Sequence, residues 1–168
     1  MKLSDLKKVL KELSKEELSE IIFDLYKSNK AVKDFLHYHL NQSDEQLIDK
    51  YKAEIKKAIN PDKIKLKLAK ARKALSDFKK IGAQPDAQAV LMLYYLEQGL
   101  IFSARFEYDR DSLMKSLLSV FVTLLKLIKS EYLSEHFSDL AKKTVENVYQ
   151  LNNYWGSIFG KELETYLI

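Results

Sequence analysis

No cysteine occurs in the chain. That removes disulfides, thiolate metal sites and cysteine nucleophiles together, and it fits a reducing compartment. Glycine appears four times and proline twice, too few breakers for the many turns of an all-β fold. No window carries the roughly 18 apolar residues that a membrane span requires. The opening, MKLSDLKKVLKEL, is charged and amphipathic and lacks the apolar centre of a signal peptide. These absences point to a cytoplasmic, helical protein with no membrane partner.

Motifs that would declare an enzyme are missing too. There is no nucleophile elbow, no glycine-rich phosphate loop and no Cys–His pair. No catalytic residue, metal ligand or cofactor is assigned on this reading. Acids from distant helices can still meet inside a bundle, so an enzyme is not required rather than excluded.

What is present fits one globular domain, 1–168. The chain has 168 residues, 46% of them apolar and 31% charged, which suits a folded core and not a disordered chain. The longest apolar run, Ala89 to Leu96, lies within Gln84 to Phe106. It is apolar on every side of a helix, and such a helix is usually enclosed by others. It is taken as the central helix, with Leu91 and Leu93 in the core.

Around it the helical period recurs. Leu3, Leu6, Leu10 and Leu13 mark a first helix over about Asp5–Leu13. Ser14-Lys15-Glu16-Glu17 is a capping box, opening a second helix expected to bury Leu18, Ile21, Ile22 and Leu25. Ser28-Asn29-Lys30 breaks weakly into a third with Val32, Phe35, Leu36 and Leu40. Ser43 and Gln46 form a second capping box before a fourth helix carrying Tyr51, Ile55 and Ile59. Asn60-Pro61 suits a helix start, so a fifth helix is expected from there, with Ile64, Leu68, Ala71, Leu75 and Phe78 inward and Gly82 as its left-handed cap. Pro85 starts the central helix, and Glu107–Asp111 is a turn. A seventh helix covers about Ser112–Ser130, and Ser134 caps an eighth. The tail after Gly156 forms one more short helix. The result is all-α: about eight helices stacked as antiparallel hairpins, without strands. They form either a compact bundle or a short curved array like helical-repeat proteins.

Three places invite chemistry. His37-Tyr38-His39 resembles a metal pair, but residues two apart on a helix point about 200° apart and cannot close on one ion. Asp109-Arg110-Asp111 resembles the opening of a calcium loop. The required glycine and final acid would fall on Met114 and Val120, so capping of the next helix is the better reading. Glu97 follows the apolar run, where a carboxylate is costly unless paired. Tyr94, Glu97, Arg105 and Trp155 are the candidate groove residues, and Gly99 is expected to let a neighbouring helix come close.

Charge is polarised. Between Lys50 and Lys80 twelve basic side chains face three acidic ones, a local +9 in a chain of +4, which leaves −5 elsewhere. Lys65, Lys70, Arg72, Lys73, Lys79 and Lys80 form the candidate binding surface. Lysine is the common filler of a solvated helix face. The functional alternatives are an acidic protein partner, self-association with the acidic remainder, or nucleic acid held through its phosphates. Few aromatics accompany the lysines for stacking bases.

Several segments resemble a family of uncharacterised bacterial helical proteins, a domain of unknown function. The matching residues are the Pro61 break, Lys73-Ala74-Leu75-Ser76-Asp77-Phe78-Lys79-Lys80, and Leu91-Met92-Leu93-Tyr94-Tyr95 with Glu97 and Gly99. The acidic turn at Asp109 and the Trp155-Gly156 pair also fit. The family tends to carry Tyr-Gly-Asp where this chain reads Glu107-Tyr108-Asp109. The resemblance extends over most of the chain after Lys50. It implies an all-helical fold in a bacterial cytosol and brings no activity with it. The expectation is therefore a helical adaptor or scaffold that binds protein, with homo-oligomers allowed. The alternative is a non-specific nucleic-acid binder using the basic helix near residues 61–81.

Overall fold

The computed structural model of the chain describes residues 2–41, 44–60 and 62–167. Among these the chain is all-α, with nine helices and one two-stranded ribbon of two residues each. Contacts divide it into two compact units, residues 1–42 and 43–168.

The first unit holds α1 (Leu3–Glu12), α2 (Lys15–Ser28) and α3 (Lys30–Asn41). The capping box forms: Ser14 Oγ accepts from the Glu17 amide at 3.2 Å, and the Glu17 carboxylate accepts from the Ser14 amide at 2.8 Å. Asn29 ends α2 and its side chain accepts from the amide of Ala31 at 2.9 Å, so the weak break is a real corner. The α2–α3 pair makes a hairpin. The expected burial of Ile21, Ile22 and Leu25 does not occur, for neither α1 nor α2 buries a single residue.

The second unit comprises α4 (Asp44–Ala58), β1 (Ile59–Asn60), β2 (Lys65–Leu66), α5 (Leu68–Lys80), α6 (Pro85–Phe106), α7 (Asp111–Ser130), α8 (Glu135–Leu151) and α9 (Asn153–Leu167). It is a helical bundle in which α6 touches α4, α5, α7 and α8. Fully buried aromatics join the layers. Tyr51 of α4 meets Phe78 of α5 edge-on at 5.2 Å, and Phe121 of α7 meets Phe159 of α9 at 5.0 Å. Tyr95 of α6 and Ser116 of α7 share a buried hydrogen bond of 2.7 Å. Gly99 does admit a neighbour: a Cβ there would overlap the side chain of Leu117.

Two sequence expectations change here. The fifth helix starts at Leu68, well after Pro61, which lies outside the described residues. Ile59 and Asn60 instead pair antiparallel with Leu66 and Lys65. Ile59 is buried at this ribbon while Ile64 sits on its turn, 79% exposed, so the predicted inward stripe loses its first member. The second concerns the tail: α9 begins before Gly156, at Asn153, where Asn152 accepts from the Trp155 amide at 3.1 Å. Gly82, at φ 80°, caps α5 in the left-handed region as expected. The Ser43–Gln46 box falls partly outside the described residues. No helix among the described residues is long and apolar enough to cross a membrane.

Candidate functional site

The central helix is not enclosed on every side. Leu91, Tyr95, Leu96 and Phe102 are buried against its neighbours. The stripe Val90, Leu93, Tyr94, Glu97, Ile101 faces outward at the helical spacing of three and four and floors a groove of about 590 Å³. The opposite wall comes from α8, from Leu140 through Lys143, Asn147 and Leu151, and Lys52 reaches in from α4. Leu93, expected in the core, is half-buried on this floor.

Tyr94 organises the charges. The Lys52 ammonium lies over its ring, 5.6 Å from the centroid. Burial, then the Glu97 charge one turn on, holds its phenol above the usual value of 10.0, so it stays a neutral donor at physiological pH. No ion pair joins Lys52, Glu97 or Lys143 to any described residue. The groove thus offers a largely apolar floor, with two ammoniums and one carboxylate that have no ion-pair partner among the described residues. That set suits holding a ligand. It supplies neither a nucleophile–base pair nor, among the described residues, three His, Asp or Glu side chains grouped for a metal.

Of the four candidate groove residues, Tyr94 and Glu97 line the site and the other two do not. Arg105 turns aside to pair with Asp62 at 2.8 Å. Trp155 is buried in the bundle through α9. Lys52 and Lys143 are not legible in the sequence as part of this site, because only tertiary packing brings α4 and α8 beside α6. The signal in the sequence for a groove is Glu97, a carboxylate placed directly after the apolar run.

The basic surface is laid out on α5 and the ribbon. Ala71, Ala74 and Phe78 turn inward. Lys70, Lys73 and Lys80 run along one edge of the exposed side, Arg72 and Lys79 along the other, and Lys65 is exposed on β2. Two of these cations are engaged: Arg72 donates to Ser119 Oγ at 3.2 Å, and Lys73 pairs with Asp77.

In the first unit, Ile22, Phe23, Tyr26, Leu36, His37 and Leu40 line a recess of about 300 Å³ between α2 and α3. Tyr26 Oη and His37 Nε2 share a hydrogen bond of 3.0 Å. The His39 ring meets that of Phe35 at a tilt of 50°, centroids 4.2 Å apart.

Residues 1–161 match the model of a family described as a family of unknown function (DUF6155), a match that begins well ahead of Lys50. No curated protein and no solved structure matches the chain.

Proposed function

The chain belongs to that family of unknown function, and we propose that it is a non-enzymatic interaction module whose protein partner docks on the α2–α3 hairpin. The observation that carries this reading is apolar exposure. Phe23 is 62% and Leu40 74% exposed, and both line one recess with Ile22 and Leu36. A single bare leucine is ordinary on a surface; several sharing one concavity favour a contact face. A second copy of the chain is one such partner. The cysteine-free composition supports a cytoplasmic setting, and the resemblance of the sequence supports a bacterial one.

The exposed lysines of α5 favour a second reading, non-specific binding to nucleic acid. Against it stand the engagement of Arg72 and Lys73 and the lack of exposed aromatics on α5.

Copurification at moderate salt separates the two. Under the first reading a stoichiometric protein, or a second copy seen by light scattering, is retained by the native chain and lost with Ile22→Glu/Phe23→Glu. Under the second, DNA or RNA binds at low salt with a steep salt dependence. Lys70→Glu/Lys73→Glu/Lys80→Glu then abolishes it, and each phosphate contact removed lowers the slope by about 0.9. A partner retained unchanged by the hairpin variant overturns the first reading.

A further inference from the structure

We propose that the groove between α4, α6 and α8 binds an elongated amphiphile bearing one negative charge, its chain along the α6 floor and its head beside Lys52 and Lys143. The volume of about 590 Å³ lies in the range of small-molecule sites. Its shape follows from the helices. From Val90 to Ala104 the floor runs about 21 Å at 1.5 Å per residue, and the α8 wall from Leu140 to Leu151 runs about 17 Å. That is a trough, suited to an extended chain and long for a compact ring.

The floor is apolar where a polar side chain would serve an ordinary surface better. Val90, Leu93 and Ile101 belong to the most apolar helix of the chain, and Ile101 remains 41% exposed. Other faces of the same helix are covered by α4, α5, α7 and α8. A hydrocarbon chain would cover this stripe in the same way.

Charge sets the head group. Lys52 and Lys143 stand against Glu97 alone, two positive groups and one negative, so the groove carries a net +1. None of the three is paired within the described residues. Lysines often lie along apolar surface with their heads in water, and that arrangement alone would recognise nothing. A monoanion beside them would complete the charge balance, and Tyr94 on the floor and Asn147 on the wall add neutral donors.

Calorimetric titration with saturated fatty carboxylates of increasing length, kept below their micelle concentrations, tests this. Alcohols of equal length serve as neutral controls. One equivalent is expected to bind, tightening about fourfold per added methylene until the trough is filled. The carboxylate should bind about tenfold more tightly than the alcohol. Lys52→Gln/Lys143→Gln should erase that preference, and Glu97→Gln should strengthen carboxylate binding several-fold. Ala104→Trp, at the C-terminal end of the floor, should weaken both ligands. Every lining residue lies within residues 43–168, so Phe23→Glu should change nothing here. Absence of binding, equal affinity for acid and alcohol, or loss of binding in Phe23→Glu with the groove variants unaffected would each overturn the proposal.

Discussion

Gly156 and Gly160 lie one turn apart on α9 and are expected to answer alanine in opposite directions. Alanine in a helix interior gains about 1 kcal/mol over glycine, whereas overpacking costs about 1–3 kcal/mol. At Gly156 a Cβ would stand 2.8 Å from the Cα of Tyr149, and backbone cannot retreat as a side-chain tip can. Gly156→Ala should therefore destabilise by about 1 kcal/mol or more. At Gly160 the nearest atom is the Tyr149 hydroxyl at 3.5 Å, an ordinary contact, so Gly160→Ala should stabilise by up to about 1 kcal/mol. Urea midpoints of the two variants decide it; a gain at both would mean α8 and α9 are less closely packed. Glu17 offers a test by pH. Its hydrogen bonds from the Ser14 backbone and then the Ser14 side chain hold its carboxyl below the ordinary 4.5. A depressed folded value means that its contribution is complete above pH 4.5 and fades as pH falls through the lowered value. Carboxyl NMR titration should place Glu17 below the ordinary 4.5, and Ser14→Ala should move it back up. This box was legible in the sequence because all its partners lie within four residues. The surroundings of Arg105 and Trp155 are not legible in this way, because the residues they meet lie elsewhere in the chain.

At the scale of the element, α6 shows what an all-round apolar helix can mean. The pattern from Ala89 to Leu96 predicts enclosure, and Leu91, 1% exposed, is enclosed. For Leu93 the same pattern marks the floor of an open groove. Periodicity reports that a face avoids water and is silent on whether protein or ligand covers it. The two leucines should therefore separate under the same substitution. Leu91→Asp places an unpaired charge in the core and should unfold the second unit. Leu93→Asp can turn its carboxylate toward solvent and should cost only about 1–2 kcal/mol. Circular dichroism melts give the comparison, and a Leu93→Asp protein as unfolded as Leu91→Asp would close the groove as a surface. The ribbon makes a parallel point. Lys63-Ile64-Lys65-Leu66-Lys67 alternates polar and apolar, which is the period of a strand. The stripe of Ile64, Leu68 and Ala71 offered a helical reading of the same residues. The strand won locally, with Ile59 buried at the pairing and the Lys67 amide donating to Ala58 at 2.8 Å.

Across the whole molecule, burial is unevenly shared in a way no residue pattern announced. Leu18, Ile21, Ile22 and Leu25 on α2 repeat as regularly as Phe137, Ala141, Val145 and Val148 on α8. Yet α8 buries its stripe and α2 buries none of its own. Amphipathicity states that a helix needs a partner; whether the chain supplies one depends on the fold around it. The largest fully buried side chains, Tyr51, Phe78, Tyr95, Phe102, Phe121 and Phe159, all belong to residues 43–168. The first unit has residues 1–42, near the length of about 40 below which a chain seldom buries enough to be stable alone. Hydrogen exchange of the full chain should resolve this into two levels. Amides in α7, where Leu113, Leu117, Phe121 and Leu124 are fully buried, should exchange only through global unfolding. Amides in α1 and α2 should open by local fluctuation and exchange about 100-fold faster or more, after correction for intrinsic rates. Partner binding on the α2–α3 recess would close that gap selectively in the first unit. Equal protection in α2 and α7 of the isolated chain would mean that α2 already has its full partner, and the docking face proposed for it would be lost.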